Sequence, residues 1–227
     1  MDRQEKINLF RCRELMYRFL GGFYIMEVDE AQLSILKKIG FPEIEIKDDA
    51  DRDISEGYAL IKEYVTGIDE KGLDYLAADY AKVFLAAGDA AGRAAFPYES
   101  VYVDKRGRVG GSTDAKMQEL YKKRGFEPNP DVYRTMNDNI GLILEFMGIL
   151  SADAVGAFES GNKELFENVL AKQKEIFEKH LLNWTASFAA DVVKFADTAF
   201  YKGLGRLTAG FIKKEAAFFK EVGLWAM

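Results

Sequence analysis

The residues with the clearest chemical potential lie in one short segment, Phe96–Asp104, with the sequence FPYESVYVD. Two tyrosines, a serine and two carboxylates follow Pro97 directly. Pro97 fixes its own φ and moves Phe96 out of the helical region, so we expect a helix to end before this segment. Aromatic and acidic side chains on a loop of a helical protein are typical of a binding site. The alternative is that Tyr98 and Tyr102 only fill the core.

Catalytic chemistry has little support elsewhere in the chain. His180 is the only histidine and Cys12 the only cysteine, so Ser-His-Asp or Cys-His catalysis would have to use His180. A zinc site would need ligands that are almost absent. Asp138 and Glu145 lie on similar helix faces but about 10 Å apart along the axis, and the Glu-x-x-His repeats of a di-iron bundle are missing. We therefore expect a binding protein that is not an enzyme and has no metal and no cofactor.

A glycine-rich loop, Gly107–Thr113 with the sequence GRVGGST, precedes a predicted helix. Such a turn can bind an anion, but the spacing and the missing lysine exclude a P-loop. A solvated loop, with Arg106 and Arg108 in water, is the simpler interpretation. A helical enzyme acting on a nucleotide or another small molecule stays as the least favoured alternative.

Composition limits the classes of protein further. The chain has 227 residues, of which 48% are hydrophobic, and a net charge of -6. It can therefore bury a sizeable core, which argues against disorder, while the acidic balance argues against a nucleic-acid partner. The first residues lack the apolar run of a secretory signal, and no stretch approaches the roughly 20 apolar residues of a membrane span. We expect a soluble, cytoplasmic protein without stable membrane insertion.

Apolar residues recur at helical spacing through most of the chain. No alternating strand pair, internal repeat or low-complexity tract is evident, so the predicted fold class is all-α. Asp29, with Gln32 three residues later, forms a capping box at the start of the second helix. Glycines are expected to end several helices, at positions 21–22, 40, 67, 88, 125 and 203.

The segment Phe126–Asp131, FEPNPD, contains two prolines that exclude a helix. We predict it to be a hinge between an N-terminal helical lobe, residues 1–125, which carries the PYESVY loop, and a C-terminal helical lobe, residues 126–227. The two lobes together form one compact domain. Such a hinge allows a domain-swapped dimer without requiring one, so a monomer and a swapped dimer both stay open.

Four motifs occur in a fixed order, and together they resemble those of the TorD/DmsD-like chaperones, the redox-enzyme maturation proteins that serve molybdenum enzymes. Each motif alone is weakly specific, while the four in order are considerably more so. The motifs are Asp79–Phe84 (DYAKVF), Pro97–Tyr102 (PYESVY), Asp138–Met147 (DNIGLILEFM) and the group His180-Leu181, Trp184, Phe188 and Phe200-Tyr201.

Three positions depart from the family pattern. Asn139 stands where the family usually has histidine, Ile143 where it often has glutamate, and Ala186 where it has proline. Asparagine keeps its hydrogen-bonding capacity, whereas Ile143 removes one acid from the expected binding face.

The resemblance implies a TorD-like all-α bundle and a specific function. Such proteins bind the N-terminal twin-arginine signal peptide of a molybdopterin-containing oxidoreductase in the cytoplasm. They delay export of the apoprotein until its cofactor is inserted. The alternative is the function of the related nitrate-reductase assembly factors, which hold the mature client subunit instead of its leader.

A leader with a basic end and an apolar stretch needs an apolar groove with acids at one end. We expect apolar contacts to set affinity, because a buried leucine-sized side chain contributes about 1.5–3 kcal/mol and an exposed ion pair about 0.2–1 kcal/mol. The acids would then set orientation. The predicted peptide-binding residues are the apolar or aromatic Phe96, Tyr98, Tyr102, Ile140 and Met147, the acids Glu99, Asp104 and Asp138, and the polar Ser100 and Asn139.

Each of these assignments has a simpler structural alternative. Asp138 can cap or solvate its own helix, and Tyr102 can be a core aromatic residue. His180 and Trp184 are expected to pack the C-terminal lobe and to make no contact with a client.

Overall fold

The computed structural model describes residues 2–88, 92, 94–129 and 134–221. Within these ranges the chain forms ten α-helices, and the only strand-like pairing is an isolated bridge between Tyr98 and Asn139. The predicted all-α fold class is therefore confirmed. The helices are α1 (Arg3–Ile25), α2 (Glu30–Lys38), α3 (Asp49–Gly67), α4 (Gly72–Leu85), α5 (Glu99–Val103), α6 (Ser112–Arg124), α7 (Ile140–Glu159), α8 (Lys163–His180), α9 (Thr185–Phe195) and α10 (Ala199–Glu221).

The chain groups into two compact units. The first holds the described residues of Met1–Ile25, Tyr98–Asn183 and Ala216–Met227. The second holds those of Met26–Pro97 and Trp184–Glu215. Each unit is thus assembled from segments that are distant in sequence.

These units differ from the lobes predicted from the sequence, since both sides of the expected boundary at residue 125 lie in the first unit. The physical reason is aromatic packing across the predicted hinge. The ring of Phe126 lies 4.9 Å from that of Tyr121 on α6 and 5.4 Å from that of Phe146 on α7. Pro130 and Asp131, the end of the predicted hinge, lie outside the described residues.

In the first unit, α7 packs closely along α1 because glycines leave room for the two backbones. A Cβ at Gly141 would lie 2.8 Å from the carbonyl oxygen of Gly21. The helix end predicted at Gly21 and Gly22 is therefore wrong. Gly21 is the contact point with α7, and α1 continues to Ile25.

Contrary to the expectation from the sequence, helix α7 is long and apolar enough to span a membrane by length and composition alone. However, 72% of its apolar window is buried inside the structure. Phe146, Met147 and Leu150 are among its fully or almost fully buried side chains. This burial is the pattern of a core helix in a soluble protein.

In the second unit, α3 and α10 cross at glycines. A Cβ at Gly57 would lie 2.7 Å from the amide nitrogen of Leu207 and 2.8 Å from the carbonyl oxygen of Gly203. The helix stop predicted at Gly203 is therefore wrong, because this glycine lies within α10 and provides the crossing point.

The DYAKVF motif also has a structural function in the second unit. Asp79 on α4 is buried, and its carboxylate accepts hydrogen bonds from the backbone N–H groups of Asp197 and Thr198 and from the Thr198 hydroxyl, at 2.7–3.0 Å. These residues directly precede α10, so Asp79 fixes the start of that helix.

The glycine crossing gives a stability prediction. Gly57→Ala is expected to lower the free energy of unfolding by about 1–3 kcal/mol, because the added methyl overpacks the contact between α3 and α10. Gly67→Ala is the matched control on the same helix, since nothing lies within 4 Å of its added methyl. Urea denaturation measures both variants, and equal midpoints would contradict the close crossing.

Candidate functional site

Two of the motifs meet in the first unit at Asp138. This residue is fully buried, and its Oδ2 accepts hydrogen bonds from the Ser100 backbone N–H and the Thr113 hydroxyl, each at 2.9 Å. Its backbone carbonyl accepts from the N–H of Glu99 at 3.0 Å. Oδ1 has no hydrogen-bond partner among the described residues. Asp138 therefore ties the PYESVY segment and the start of α6 to the residue pair before α7.

Asn139, the residue that departs from the family histidine, completes this junction. Its Oδ1 accepts from the Gly141 N–H at 2.8 Å and so caps α7. Its Nδ2 donates to the Thr135 hydroxyl at 3.1 Å, and this hydroxyl donates to the Tyr98 hydroxyl at 3.1 Å. The asparagine thus links the helix N-terminus to the PYESVY segment, which follows the usual preference for Asn at N-caps.

A third motif joins through Glu99 and His180. Nδ1 of His180, at the end of α8, lies 2.9 Å from Oε2 of Glu99, a distance at which a ring N–H donates to the carboxylate. Both side chains are buried. Removing either partner would leave the other polar group buried without this contact, which is costly.

An open pocket of about 490 Å³ lies beside this pair within the first unit. Two ion pairs stand on its wall, Glu119 with Lys123 at 2.7 Å and Glu175 with Lys179 at 3.0 Å. Lys116 is the lining cation without an ion pair in the part of the chain that the structure describes. The lining residues are Glu99, Lys116, Glu119, Leu120, Lys123, Glu175, Glu178, Lys179, His180 and Asn183.

Two titratable groups show the electrostatic character of this region. Hydrogen bonds from Lys172 and Lys179 lower the pKa of Glu175 to about 2, so this pocket carboxylate stays ionised. Burial raises the pKa of Tyr121 well above its usual value, and the charges of Asp138 and Glu99 raise it further. The phenol therefore stays neutral and donates to the backbone carbonyl of Asn137 at 2.9 Å.

The structure places the predicted peptide-binding residues in different environments. It brings Tyr98, Glu99, Ser100, Asp138 and Asn139 together at the junction. Of these five, only Tyr98 is more than slightly exposed. The polar residues among them mostly bind other protein groups, so they hold the junction closed.

The other predicted residues do not form an open groove. Ile140 and Met147 have 0% exposure and are core residues of α7. Tyr102 and Asp104 are half-buried at α5, and the hydrogen bond from Arg106 lowers the pKa of Asp104. Phe96 belongs to the second unit. A leader cannot reach Ile140 or Met147 in this conformation.

Sequence reasoning missed several residues of the junction. The sequence predicts that His180 packs in the core, and its side chain is buried, but the pattern does not indicate its contact with Glu99. It also predicts a solvated loop at Gly107–Thr113, whereas the Thr113 hydroxyl binds Asp138. The available signal was that Glu99, Asp138 and His180 are polar positions within motifs rather than within apolar helix stripes. That signal indicated their importance but not their pairing.

A model of the nitrate reductase delta subunit family matches residues 47–190. This is more than half of the chain, and the protein therefore belongs to that family. The match confirms the family resemblance inferred from the four motifs.

Relatives with known names are similar to the chain as well. Chaperone protein TorD of Vibrio vulnificus is 28% identical over 136 residues, which cover 60% of this chain and 60% of that protein. Chaperone protein TorD of Shewanella pealeana is 25% identical over 222 residues, covering 91% and 89%. The chain spans about 60% of the length of the Vibrio relative it matches. These names agree with the expectation of a protein that is not an enzyme.

A solved structure is also similar over most of the chain. It is described as a redox enzyme maturation protein from Archaeoglobus fulgidus, with 22% identity, 93% coverage of both chains and a TM-score of 0.44. This score is too low to carry an argument about the function of the present chain.

The hydrogen bonds to Asp138 predict a large cost for its removal. Asp138→Ala is expected to lower the free energy of unfolding by about 2–4 kcal/mol, because a buried N–H and a buried hydroxyl lose their acceptor. Asp153→Ala on α7, the helix that follows Asp138, is the control: Asp153 pairs with Arg124 near the surface, and its loss should cost less than about 1 kcal/mol. Urea denaturation compares the two, and equal losses would contradict a structural role for the buried carboxylate.

Proposed function

We propose that this protein is a cytoplasmic chaperone of a molybdopterin oxidoreductase, which binds the twin-arginine leader of the apoprotein and delays its export until the cofactor is inserted. The observation that carries the proposal is the convergence of Glu99, Asp138 and His180, from three separate motifs, at one junction beside an open pocket. The named TorD relatives support the chaperone assignment.

Ile140 and Met147 are buried, so capture of an apolar leader by α7 requires the junction at its N-terminal end to open, and we place that opening in the segment 98–113. Hydrogen bonds from Ser100 and Thr113 hold this segment to Asp138. Each is worth about 0.5–1.5 kcal/mol net. Burial of one leucine-sized leader side chain returns about 1.5–3 kcal/mol. Opening also breaks the contact of Glu99 with His180 and the hydrogen bond from the Glu99 N–H to the Asp138 carbonyl. Several buried leader side chains are therefore needed to offset its cost, and the capture is reversible.

The acids contribute to orientation in two stages. Before opening, a basic leader meets the carboxylates of the pocket, of which Glu178 and Glu119 are exposed. After opening, Asp138 loses two protein donors and becomes free to accept from the leader. Because exposed ion pairs are weak and screened by salt, the first stage steers the leader and the apolar contacts determine its affinity.

Tyr102→Ala tests the proposed contact at the edge of the junction. Calorimetry with a synthetic twin-arginine leader is expected to show binding to the unchanged protein and about tenfold weaker binding to the variant, which corresponds to the loss of about 1.4 kcal/mol of apolar contact. Tyr102 is half-buried, so this change is less damaging to the fold than removal of Asp138.

Val109→Ala is the matched control in the same unit, because Val109 is an exposed apolar residue outside the PYESVY motif. Its affinity for the leader is expected to equal that of the unchanged protein. If Tyr102→Ala also binds normally, with an unchanged unfolding midpoint, the site assignment is wrong. If no leader binds to any version, the leader-binding function is wrong.

The second candidate function is an assembly factor that holds the mature client subunit. The match to the nitrate reductase delta subunit family favours it. A client that lacks its leader should then be retained by the tagged protein in a pull-down. A strict requirement for the leader would decide against this alternative.

A further inference from the structure

A separate site stands out in the second unit, where two adjoining pockets share the side chains of Tyr64 on α3 and Tyr75 on α4. The pockets have volumes of about 330 Å³ and 370 Å³. Tyr75 is 55% exposed, which is unusual for a large aromatic side chain. None of the predicted peptide-binding residues lines either pocket.

Tyr64 is held in place between the two pockets. Its hydroxyl donates to the carbonyl oxygen of Gly72 at 2.8 Å, and its ring lies 6.3 Å from that of Phe200 in an edge-to-face arrangement. The site therefore combines one fixed tyrosine with one exposed tyrosine. The faces of the two aromatic rings, which border the open pockets, carry negative electrostatic potential.

The charges that line the two pockets are mostly acidic. Lys82 is the lining cation, and it pairs with Asp197 at 2.5 Å. Glu63 and Asp69 line the second pocket, and neither has an ion-pair partner in the part of the chain that the structure describes. Asp69 accepts a hydrogen bond from the backbone N–H of Lys71, so the two carboxylates beside the tyrosines keep their negative charge without a paired cation.

The raised pKa of Tyr64 agrees with a negative electrostatic potential at this site. Burial raises it first, and the charges of Asp69 and Asp79 raise it further. The carboxylates of Asp69 and Asp79 therefore create a negative electrostatic potential at the Tyr64 hydroxyl. This upward shift agrees with the excess of acidic over basic side chains that line the two pockets.

A cation with a flat or alkyl surface satisfies both features of this site, because aromatic faces attract cations and carboxylates neutralise them. Arginine fits better than lysine, since its planar guanidinium stacks on rings and donates to carboxylates in a fork. A metal ion fits poorly, because the described residues contain no group of three His, Cys, Asp or Glu side chains that could hold one.

We propose that the Tyr64–Tyr75 site binds an arginine side chain of a peptide partner. The inference rests on the proposed function for the source of this arginine, the basic leader of the client. It adds a contact in the second unit that is separate from the junction at Asp138.

The first experiment uses N-acetyl-arginine-amide as the probe and N-acetyl-citrulline-amide as its neutral isostere. In NMR spectra of the full chain, the arginine probe at millimolar concentration is expected to shift the ring resonances of Tyr75, and the citrulline probe is expected to leave them unchanged. Equal shifts from both probes, or none from either, would overturn the proposal.

The second experiment measures leader affinity by calorimetry in two variants. Tyr75→Phe keeps the aromatic face and should bind the leader normally, whereas Tyr75→Leu should bind it about tenfold more weakly. Normal binding by Tyr75→Leu would overturn this inference and leave the proposed function intact. Absence of leader binding to the unchanged protein would reject the leader-binding function, and the arginine probe would still decide this site.

Discussion

The buried carboxylate of Asp138 is the interaction on which the first unit depends most. It receives the Ser100 N–H and the Thr113 hydroxyl, which come from two segments that are remote in the chain. A buried carboxyl group needs such donors to offset its lost hydration. The Asp138 side chain therefore holds the PYESVY segment and the start of α6 against the residues before α7, and the Asn139 side chain caps that helix.

This arrangement also explains why the apolar face of α7 is not a surface groove. Tight packing on α1 through Gly21 and Gly141 covers one side of the helix, and the junction at Asp138 lies at its N-terminal end. Under the proposed chaperone function such a closed state favours release of the client, because the open state loses several hydrogen bonds. The Glu99–His180 contact couples the same segment to the end of α8.

Local sequence signals predicted much of the fold. The capping box of Asp29 and Gln32 is present as predicted, and Gly125 ends α6 in the left-handed conformation that glycine favours. Glycines 21 and 203 were misread as helix stops because a glycine that ends a helix and one that allows close packing look the same in a single sequence. Only the partner helix distinguishes the two.

The candidate site was predictable in part. The motifs selected Tyr98, Glu99, Ser100, Asp138 and Asn139 as peptide-binding residues. The structure brings these five together, but the motifs did not indicate that most of their side chains are buried. The pairing of Glu99 with His180 spans 81 residues, and no local pattern encodes a contact at that separation. The pocket beside it is formed by exposed charges of α6 and α8, which have no distinguishing pattern in the sequence.

The most direct test of the account is amide hydrogen exchange at Ser100, whose N–H donates to Asp138. The free protein should protect this amide, because exchange requires the segment 98–113 to open. Addition of a twin-arginine leader should reduce the protection at Ser100 if capture displaces the segment. Unchanged or increased protection, under conditions where calorimetry shows that the leader is bound, would contradict opening of the junction as the step that admits the client.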